Sequence, residues 1–333
     1  MADRGVGRGP GGPSHNSTMN RRVFLASLAT TLSRAAARLP ANDNIRWALS
    51  LGLWQHFRPV PFTEILSVMR DTGFIGIRLT DFPRCFETYG LTPSQMEKEV
   101  SKRKLHVCTV SFGGPAHDAS KHDKIIADAR RAMTVLKGFG AKDLVVFSPA
   151  RLPPGADLVQ VFDNMADCYT RLGQLASELG FRVGLHNHLG EIVEKQDEID
   201  LILAKVSPKL LYLAPDTAHL HLAGANVVAT FEKYKKRIIF ADYKDAKWTT
   251  PDADFIEDNG KVHPKESDEA KFFSSIYDLG DGEIDFPSCH RILKSVNYPG
   301  WLCVDLDTAR KGPRASYERC GQYIVNKLEP IYS

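Results

Sequence analysis

The stretch Phe181-Arg182-Val183-Gly184-Leu185-His186-Asn187-His188 joins an apolar run typical of a buried strand to three polar side chains at its carboxyl end. A long helical segment, 162–179, precedes it and is followed by Gly180, because the position after a helix favours glycine. A helix, a strand and a polar strand end therefore form one unit. The same order recurs along the chain.

This repetition from Arg46 onward predicts an α/β fold, a single-domain (β/α)8 TIM barrel spanning 44–333. Runs rich in β-branched residues predict eight strands, at 47–54, 73–79, 105–112, 144–147, 181–186, 210–214, 238–242 and 301–305. Amphipathic stretches predict helices from Pro61 and at 92–102, 119–139, 162–179, 198–205, 227–235, 286–293 and 317–328. The alternative, a doubly wound open sheet, normally has a glycine-rich phosphate loop after strand one. Gly52 is a single glycine at this position, so the barrel is favoured.

One connection of the predicted barrel is unusually long. About 40 residues, Ala246 to Asp285, follow strand seven. Loops after barrel strands lie on the carboxyl-terminal face, where active sites are built. The length of this loop predicts a lid or a contact between subunits, so a homo-oligomer is left open.

The amino-terminal region carries most of the positive charge. Residues 1–38 hold six arginines and one aspartate, a net charge of +5, so the remaining chain carries −2 of the total +3. Asn20-Arg21-Arg22-Val23-Phe24-Leu25, with the short apolar run after it, resembles a twin-arginine export signal. The resemblance implies a leader at 1–43, Met19 as an alternative start, and a periplasmic protein. If this region is only a disordered basic tail, the protein stays in the cytoplasm.

The composition is that of a globular protein, with 43% hydrophobic and 25% charged residues, and disfavours fibrous, disordered and membrane-spanning classes. The six cysteines lack a paired spacing such as Cys-x-x-Cys, so finger-type zinc has no support. They are interpreted as core residues, with one disulfide left open for an oxidising compartment.

Imidazole and carboxylate side chains gather at the carboxyl ends of the last four predicted strands. They are His186 and His188, Asp216 and His219, Asp242 and Lys244, and Asp305 and Asp307. Alternation along a strand places the members of a pair two residues apart on one face. Nitrogen and oxygen ligands without thiolate suit Mn²⁺, Mg²⁺, Fe²⁺, Co²⁺ or Zn²⁺. The sequence therefore predicts a divalent metal site on this rim.

The same strand ends carry a family resemblance. The motifs are Gly73-Phe74-Ile75-Gly76-Ile77, Gly184-Leu185-His186-Asn187-His188, Asp216-Thr217-Ala218-His219, Tyr243-Lys244-Asp245, Leu279-Gly280-Asp281-Gly282-Glu283-Ile284-Asp285 and Gly300-Trp301-Leu302. In this order they resemble the sugar phosphate isomerase/epimerase family, the xylose isomerase-like barrels that include ketose 3-epimerases, inosose dehydratases and endonuclease IV. The match runs from about residue 46 to 310.

The resemblance implies one divalent metal, with Mn²⁺ preferred, held by His186, Asp216, Asp242 and Asp305. The family usually places Glu, Asp, His and Glu at these positions, so Asp216 alone matches outright. The epimerases remove and return a proton with two metal-bound glutamates. A histidine opposite a shorter carboxylate suits abstraction of a proton next to a carbonyl and expulsion of a β-oxygen.

The resemblance thus implies an isomerase or epimerase, or a dehydratase or lyase, acting on a sugar or keto-polyol through an enediolate-type intermediate. The predicted catalytic residues are His186, His188, His219, Lys244 and Asp305, and the predicted substrate contacts are Trp54, His188, His219 and Lys244. Simpler alternatives are a structural hydrogen bond for His188, a salt bridge from Lys244 to Asp307 or Asp245, and a core position for Trp54. Glu191 and Glu194 are interpreted as loop or helix-start carboxylates.

Two other functions are open to a barrel of this kind. An endonuclease IV-like nuclease needs further ligands and a basic face, which strands two and three and the slightly acidic barrel lack, so no nucleic-acid partner is expected. The other function is that of a degenerate sugar-binding barrel that has lost its metal. In this alternative, the departures from the family's usual metal ligands reflect the loss of catalysis. An unphosphorylated sugar is the favoured partner, because no phosphate-binding loop is evident.

Overall fold

The computed structural model describes residue 39 and residues 45–332, all within one unit of the chain, 38–333. The leader predicted at 1–43, including Arg21-Arg22, lies outside these residues except for Leu39, so export and the leader boundary stay predictions. None of the described helices is both long and apolar enough to cross a bilayer.

Eight parallel strands form the barrel and confirm the predicted fold. They are β1 (Arg46–Ser50), β2 (Gly76–Leu79), β3 (His106–Phe112), β4 (Asp143–Phe147), β5 (Arg182–His186), β6 (Tyr212–Leu213), β7 (Phe240–Tyr243) and β12 (Trp301–Val304). Their order is β6-β5-β4-β3-β2-β1-β12-β7. Two isolated parallel bridges, Leu213 with Ile238 and Asp216 with Asp242, join β6 to β7 at the remaining seam.

Helices cover the outside of the sheet. Their bounds are Phe62–Asp71, Arg84–Thr88, Pro93–Lys102, His122–Gly138, Leu158–Leu179, Gln196–Lys205, Thr217–Leu222, Val227–Tyr234, Phe286–Ser295 and Pro313–Tyr323, with a π-helical turn at Ile324–Leu328. Gly180 has φ 77°, the left-handed conformation that favours glycine, and so ends the longest helix as predicted. Arg84–Thr88 and Thr217–Leu222 are short helices that the sequence pattern does not predict.

The barrel interior is closed at the amino-terminal end by Trp301, whose ring packs with small residues such as Ala48 and Cys303. A Cβ atom on Gly76 would lie 2.4 Å from this ring, so β2 requires glycine there. All six cysteines are buried and free, which confirms them as core residues. This packing leaves the opposite end of the barrel open for the site.

Strand one is shorter than predicted. The prediction of 47–54 is wrong beyond Ser50, because the chain turns at the rim and Gly52–His56 forms a 3-10 helix. The Trp54 amide donates to the carbonyl of Leu51 at 3.1 Å, and the Gly52 amide donates to Ser50 Oγ at 3.1 Å. Trp54 is therefore displaced from the strand face on which the prediction placed it.

The long connection after β7 is a folded insertion. It contains the strands β8 (Asp245–Ala246) and β11 (Ile276–Tyr277), which pair antiparallel, the hairpin β9 (Phe255–Ile256) and β10 (Val262–His263), and the helix Asp268–Ser275. The hairpin contacts the segment after β1. Asp258 Oδ2 accepts from the Arg58 amide at 3.1 Å, and Glu257 Oε2 lies 3.0 Å from His56 Nδ1. The insertion thus joins the β7 side of the barrel to the β1 side at its carboxyl-terminal face.

Candidate functional site

Asp216 lies at the start of the helix Thr217–Leu222, immediately after the β6 segment. Its Oδ1 accepts from the His219 amide at 3.0 Å, as an N-cap does, while the buried Oδ2 has no hydrogen-bond partner among the described residues. The side chain of Asn187 fixes this backbone, accepting from the Asp216 amide at 3.0 Å and donating to its carbonyl at 3.3 Å. One oxygen therefore holds the helix and the other faces the site.

Lys244, just past β7, places a buried ammonium among three carboxylates. Its Nζ lies 3.3 Å from Asp216 Oδ2, 2.9 Å from Asp305 Oδ2 and 2.6 Å from Asp307 Oδ2. The salt bridge from Lys244 to Asp307, given above as a simpler alternative, is thus present as one of three ion pairs of this lysine. Asp245 is engaged elsewhere, since its carboxylate accepts from the amides of Gly280, Gly282 and Ile284. The pairing of Lys244 with Asp245 is therefore wrong.

A second buried cation, Arg78 on β2, reaches the same carboxylates. Its Nη1 lies 2.9 Å from Asp242 Oδ2 and 3.3 Å from Asp305 Oδ2, and its Nη2 donates to Ser111 Oγ at 3.0 Å. The residue is 3% exposed. This role of Arg78 was not predicted from the sequence, although an arginine inside an otherwise apolar strand indicates that its charge needs a buried partner.

Three histidines form one wall beside these charges. His186 Nδ1 lies 3.2 Å from Asp242 Oδ2. The rings of His188 and His219 are 3.8 Å apart between centroids. His188 Nδ1 lies 2.7 Å from the carbonyl oxygen of Leu189, which can only accept, so Nδ1 carries the hydrogen and Nε2 keeps its lone pair. His188 is therefore tautomerically set to accept a proton at Nε2.

His219 has two donors near its ring. The amide of Leu189 lies 3.3 Å from Nδ1, and Lys244 Nζ lies 3.4 Å from Nε2. A neutral imidazole has one lone pair, so it accepts from only one of them at a time. Phe272 of the insertion stacks on the same ring, with 5.2 Å between centroids, and fixes its plane.

Burial and charge separate the protonation states of the cluster. Burial raises the pKa of Asp216 and of Asp242 to about 7, with the neighbouring Asp305 adding to the rise. Burial also acts on Asp305, but Lys244 and Arg78 outweigh it and hold the pKa of that carboxyl well below its usual range. Burial lowers the pKa of His188 to about 4 and holds the pKa values of His186 and His219 well below their usual range, so the three rings are neutral.

The residues fit a divalent metal by donor chemistry. Ligand atoms of Asp216, Asp242 and Asp305 all lie within 4.8 Å of one another, and His186, Asp216 and His219 form a second such group. Among the described residues, buried Asp242 Oδ1 has neither a hydrogen bond nor an ion pair, and His186 Nδ1, Asp216 Oδ2 and Asp242 Oδ2 have ion-pair contacts but no hydrogen bond. When all are ionised, the three carboxylates of the first group and Asp307 face two permanent cations, Arg78 and Lys244, and a divalent ion would balance the remaining charge.

The first group contains three of the four predicted ligands, and the fourth, His186, contacts Asp242. His219, predicted as a substrate contact, also stands within reach of a metal through the second group. The structure brings these residues together, and which of them bind the ion remains a prediction.

A cavity of about 760 Å³ opens above the cluster, a volume ordinary for small-molecule sites. Predicted site residues that line it are His186, His188, Lys244 and Asp305, and lining residues that the sequence analysis did not select include Arg78, Ser148 and Glu191. Trp54 packs against Phe57 and Tyr317 with 6.3 and 6.4 Å between ring centroids, and the described residues that line this cavity do not include it. Its stacking on a sugar stays a prediction.

The comparison with known families agrees with this arrangement. Residues 66–320 match the model of the xylose isomerase-like TIM barrel family. The chain belongs to this family. Members are similar to it over most of its length: an inosose dehydratase of Clostridium botulinum (strain Alaska E43 / Type E3) is 27% identical over 80% of this chain and 89% of its own. An inosose dehydratase of Clostridium beijerinckii is 33% identical over 49% of this chain and 53% of its own.

Solved structures of other proteins share the fold. The IolI protein with a bound zinc atom has a TM-score of 0.68 at 15% identity, covering 86% of this chain and 99% of its own. The probable 3-DHS dehydratase AsbF from Bacillus anthracis has a TM-score of 0.66 at 12% identity, covering 85% and 99%. The predicted enzyme class, a metal-dependent isomerase, epimerase or dehydratase acting on sugars or keto-polyols, is confirmed at this level of detail.

Arg78 offers a test of how the site is held together. Replacing it with glutamine leaves Asp242 and Asp305 without their guanidinium, so the free energy of unfolding should fall by about 3–5 kcal/mol in urea titrations without added metal. Arg70→Gln removes an exposed arginine that pairs with Asp71 at 3.2 Å and should cost no more than about 1 kcal/mol. Equal costs for the two variants would contradict the role assigned to Arg78.

Proposed function

We propose that the protein is a divalent-metal-dependent dehydratase of keto-polyols, with an unphosphorylated keto-inositol as its preferred class of substrate. The observation that carries the proposal is the meeting of a neutral imidazole, His188, and an ammonium, Lys244, in one cavity above a carboxylate cluster. The inosose dehydratases that resemble the chain over most of its length support the same reaction.

The residues divide the reaction between them. His186, Asp216, Asp242 and Asp305 would hold the metal, and Mn²⁺ is our preferred ion because the donors are mostly carboxylate oxygen. When bound, the metal supplies Lewis-acid polarisation of the substrate carbonyl.

His188 Nε2 takes the proton from the carbon next to the carbonyl, since the hydrogen bond from Nδ1 to Leu189 leaves that nitrogen basic. Lys244 places its positive charge near the oxygen on which negative charge develops. His219 packs against the ring of His188 and keeps it in the plane from which Nε2 can reach the substrate. Loss of a hydroxyl from the next carbon then completes the dehydration.

The reaction is tested with the metal-loaded full chain and a panel of keto-inositols, 3-keto-glycosides and ketoses in D₂O. Deuterium incorporation next to the carbonyl together with loss of water, followed by NMR, is the expected result with a keto-inositol. Exchange without loss of water would establish an epimerase instead. A degenerate sugar-binding barrel would show no exchange with any compound and no thermal stabilisation by metal.

His188→Gln should lower the rate of exchange by at least about 10²-fold, because it removes the proton acceptor. Substrate KM should change only a few-fold if the amide keeps the contacts of the ring. The matched control is His221→Gln, at a partly exposed histidine on the neighbouring helix that lies 3.6 Å from Glu283 and belongs to no cavity wall described above. Full exchange activity in the His188 variant would remove it from the mechanism.

A further inference from the structure

Glu191 lies on the wall of the cavity, in the loop after β5. It forms an isolated antiparallel bridge with Ala150, and its amide lies 3.2 Å from the carbonyl of His188. The helix Gln196–Lys205 begins five residues later, and Glu198, not Glu191, accepts from the amide of its N-cap residue Lys195 at 2.8 Å. Of the two interpretations given for Glu191, the loop position is therefore correct and the helix-start position is not. Glu191 lines the same cavity as His188 and Lys244.

The surroundings of this carboxyl group are almost free of charge. Ser148 Oγ donates to Glu191 Oε2 at 3.0 Å and accepts from the Val193 amide at 3.0 Å, so the hydroxyl hydrogen is committed to the carboxyl group. Within residues 45–332 no residue other than Ser148 forms a hydrogen bond with the carboxyl group of Glu191, and no lysine, arginine or histidine forms a salt bridge with it. The carboxyl group is thus available to a molecule in the cavity.

The titratable neighbours do not favour ionisation of Glu191. Arg151, on the facing loop, is paired with Glu194 at 3.4 Å and with Glu198 at 2.9 Å. His188 is neutral, and Tyr169 from the helix Leu158–Leu179 has a pKa raised by burial. Burial raises the pKa of Glu191 to about 8, only partly offset by Ser148, so the group carries a proton at neutral pH.

We infer that Glu191 is the general acid that protonates the departing hydroxyl of the substrate, an assignment that rests on the proposed dehydratase function. His188 Nε2 takes the proton from the carbon next to the carbonyl, and the electron pair of that C–H bond first forms an enolate. The same pair then forms the new C=C bond as the leaving group departs and the carbonyl is restored. The C–O bond on the next carbon breaks with its electron pair, and the oxygen takes the proton of Glu191. The products are an unsaturated ketone and water, and the proton left on His188 returns to Glu191 through solvent.

Base and acid then serve different partial reactions, which can be measured separately. Glu191→Gln keeps the shape of the side chain and the acceptor for Ser148 but has no acidic proton. We expect loss of water to fall by about 10²-fold while deuterium exchange next to the carbonyl is retained. The decline of wild-type dehydration above about pH 8, where Glu191 loses its proton, should be absent from the residual activity of the variant.

A substrate analogue with fluoride in place of the departing hydroxyl separates chemistry from structural damage. Fluoride leaves without a proton, so Glu191→Gln should eliminate it at a rate close to that of the wild type. Glu194→Gln, on the same loop but paired with Arg151, is the matched control and should dehydrate normally. An infrared carboxylic-acid C=O band of the substrate-free wild type at pH 7, absent from Glu191→Gln, reports the proton without any turnover.

The outcomes distinguish this inference from the function on which it rests. If Glu191→Gln dehydrates the substrate at the wild-type rate, the role of Glu191 alone is overturned. The same holds if the variant loses exchange, dehydration and fluoride elimination together. A wild type that exchanges no proton and loses no water with any keto-polyol overturns the proposed function and the assignment of the acid with it.

Discussion

Asp216→Asn is expected to lower kcat/KM by about 10³-fold or more and to weaken metal binding by at least about 10²-fold. The substitution is almost isosteric, and the asparagine oxygen can still accept from the His219 amide as the N-cap of the helix. The oxygen that is lost is Oδ2, which faces Asp242 and Asp305. An amide NH₂ group placed there cannot bind a cation, so Lewis-acid assistance worth several kcal/mol is lost.

Isothermal titration with Mn²⁺ and steady-state kinetics measure the two effects of Asp216→Asn. Asp268→Asn, which changes a fully exposed carboxylate in the first turn of another helix, is the matched control and should leave both unchanged. Circular dichroism should show the same helix content in all three proteins, since the cap is retained. Unaltered Mn²⁺ affinity in the Asp216 variant would exclude this carboxylate as a ligand.

Lys244→Met should produce two effects of opposite sign. Catalysis should fall by about 10²–10³-fold, because no ammonium remains to face the developing oxyanion. Affinity for the metal should rise, because the methyl-capped side chain no longer places a positive charge 2.9–3.3 Å from Asp305 and Asp216. A general loss of structure would lower both catalysis and metal affinity. Lower catalysis together with higher metal affinity is therefore specific to the loss of the Lys244 charge.

The metal-free Lys244 variant should also be less stable, since three carboxylates, two of them buried, lose their common partner. Added Mn²⁺ should then raise its melting temperature by more than it raises that of the wild type. Lys247→Met, at a half-exposed lysine that lies 3.3 Å from Glu283, provides the control with normal activity and metal response. Weaker metal binding in Lys244→Met would show that the ammonium supports the metal site instead of competing with it.

The sequence pattern predicts the barrel and the strands that carry the site for a simple reason. Buried parallel strands are continuous apolar runs, and their carboxyl ends meet at one rim, so polar residues that end four runs must converge. His186, Asp216, Asp242 and Asp305 do converge in the structure. Periodicity does not predict the direction of a side chain when that direction depends on tertiary packing.

Arg78, Glu191 and Trp54 mark that limit. Arg78 lies on β2, far in the sequence from the other site residues, and its long side chain reaches Asp242 across the barrel. Glu191 enters the cavity because its loop pairs with Ala150, a contact between distant segments that no local pattern encodes. Trp54 leaves the predicted strand because hydrogen bonds at Leu51 and Ser50 start a 3-10 turn.

The seam between β6 and β7 gives the carboxylate cluster a mechanical role as well as a chemical one. These strands are joined by two isolated bridges, and one of those bridges is Asp216 with Asp242, the residues whose side chains would share an ion. An ion held there would link the two strands where only isolated bridges join them. The amide of Asp242 donates to the Pro215 carbonyl at 2.9 Å, and its hydrogen exchange should slow as metal fills the site, with no substrate present.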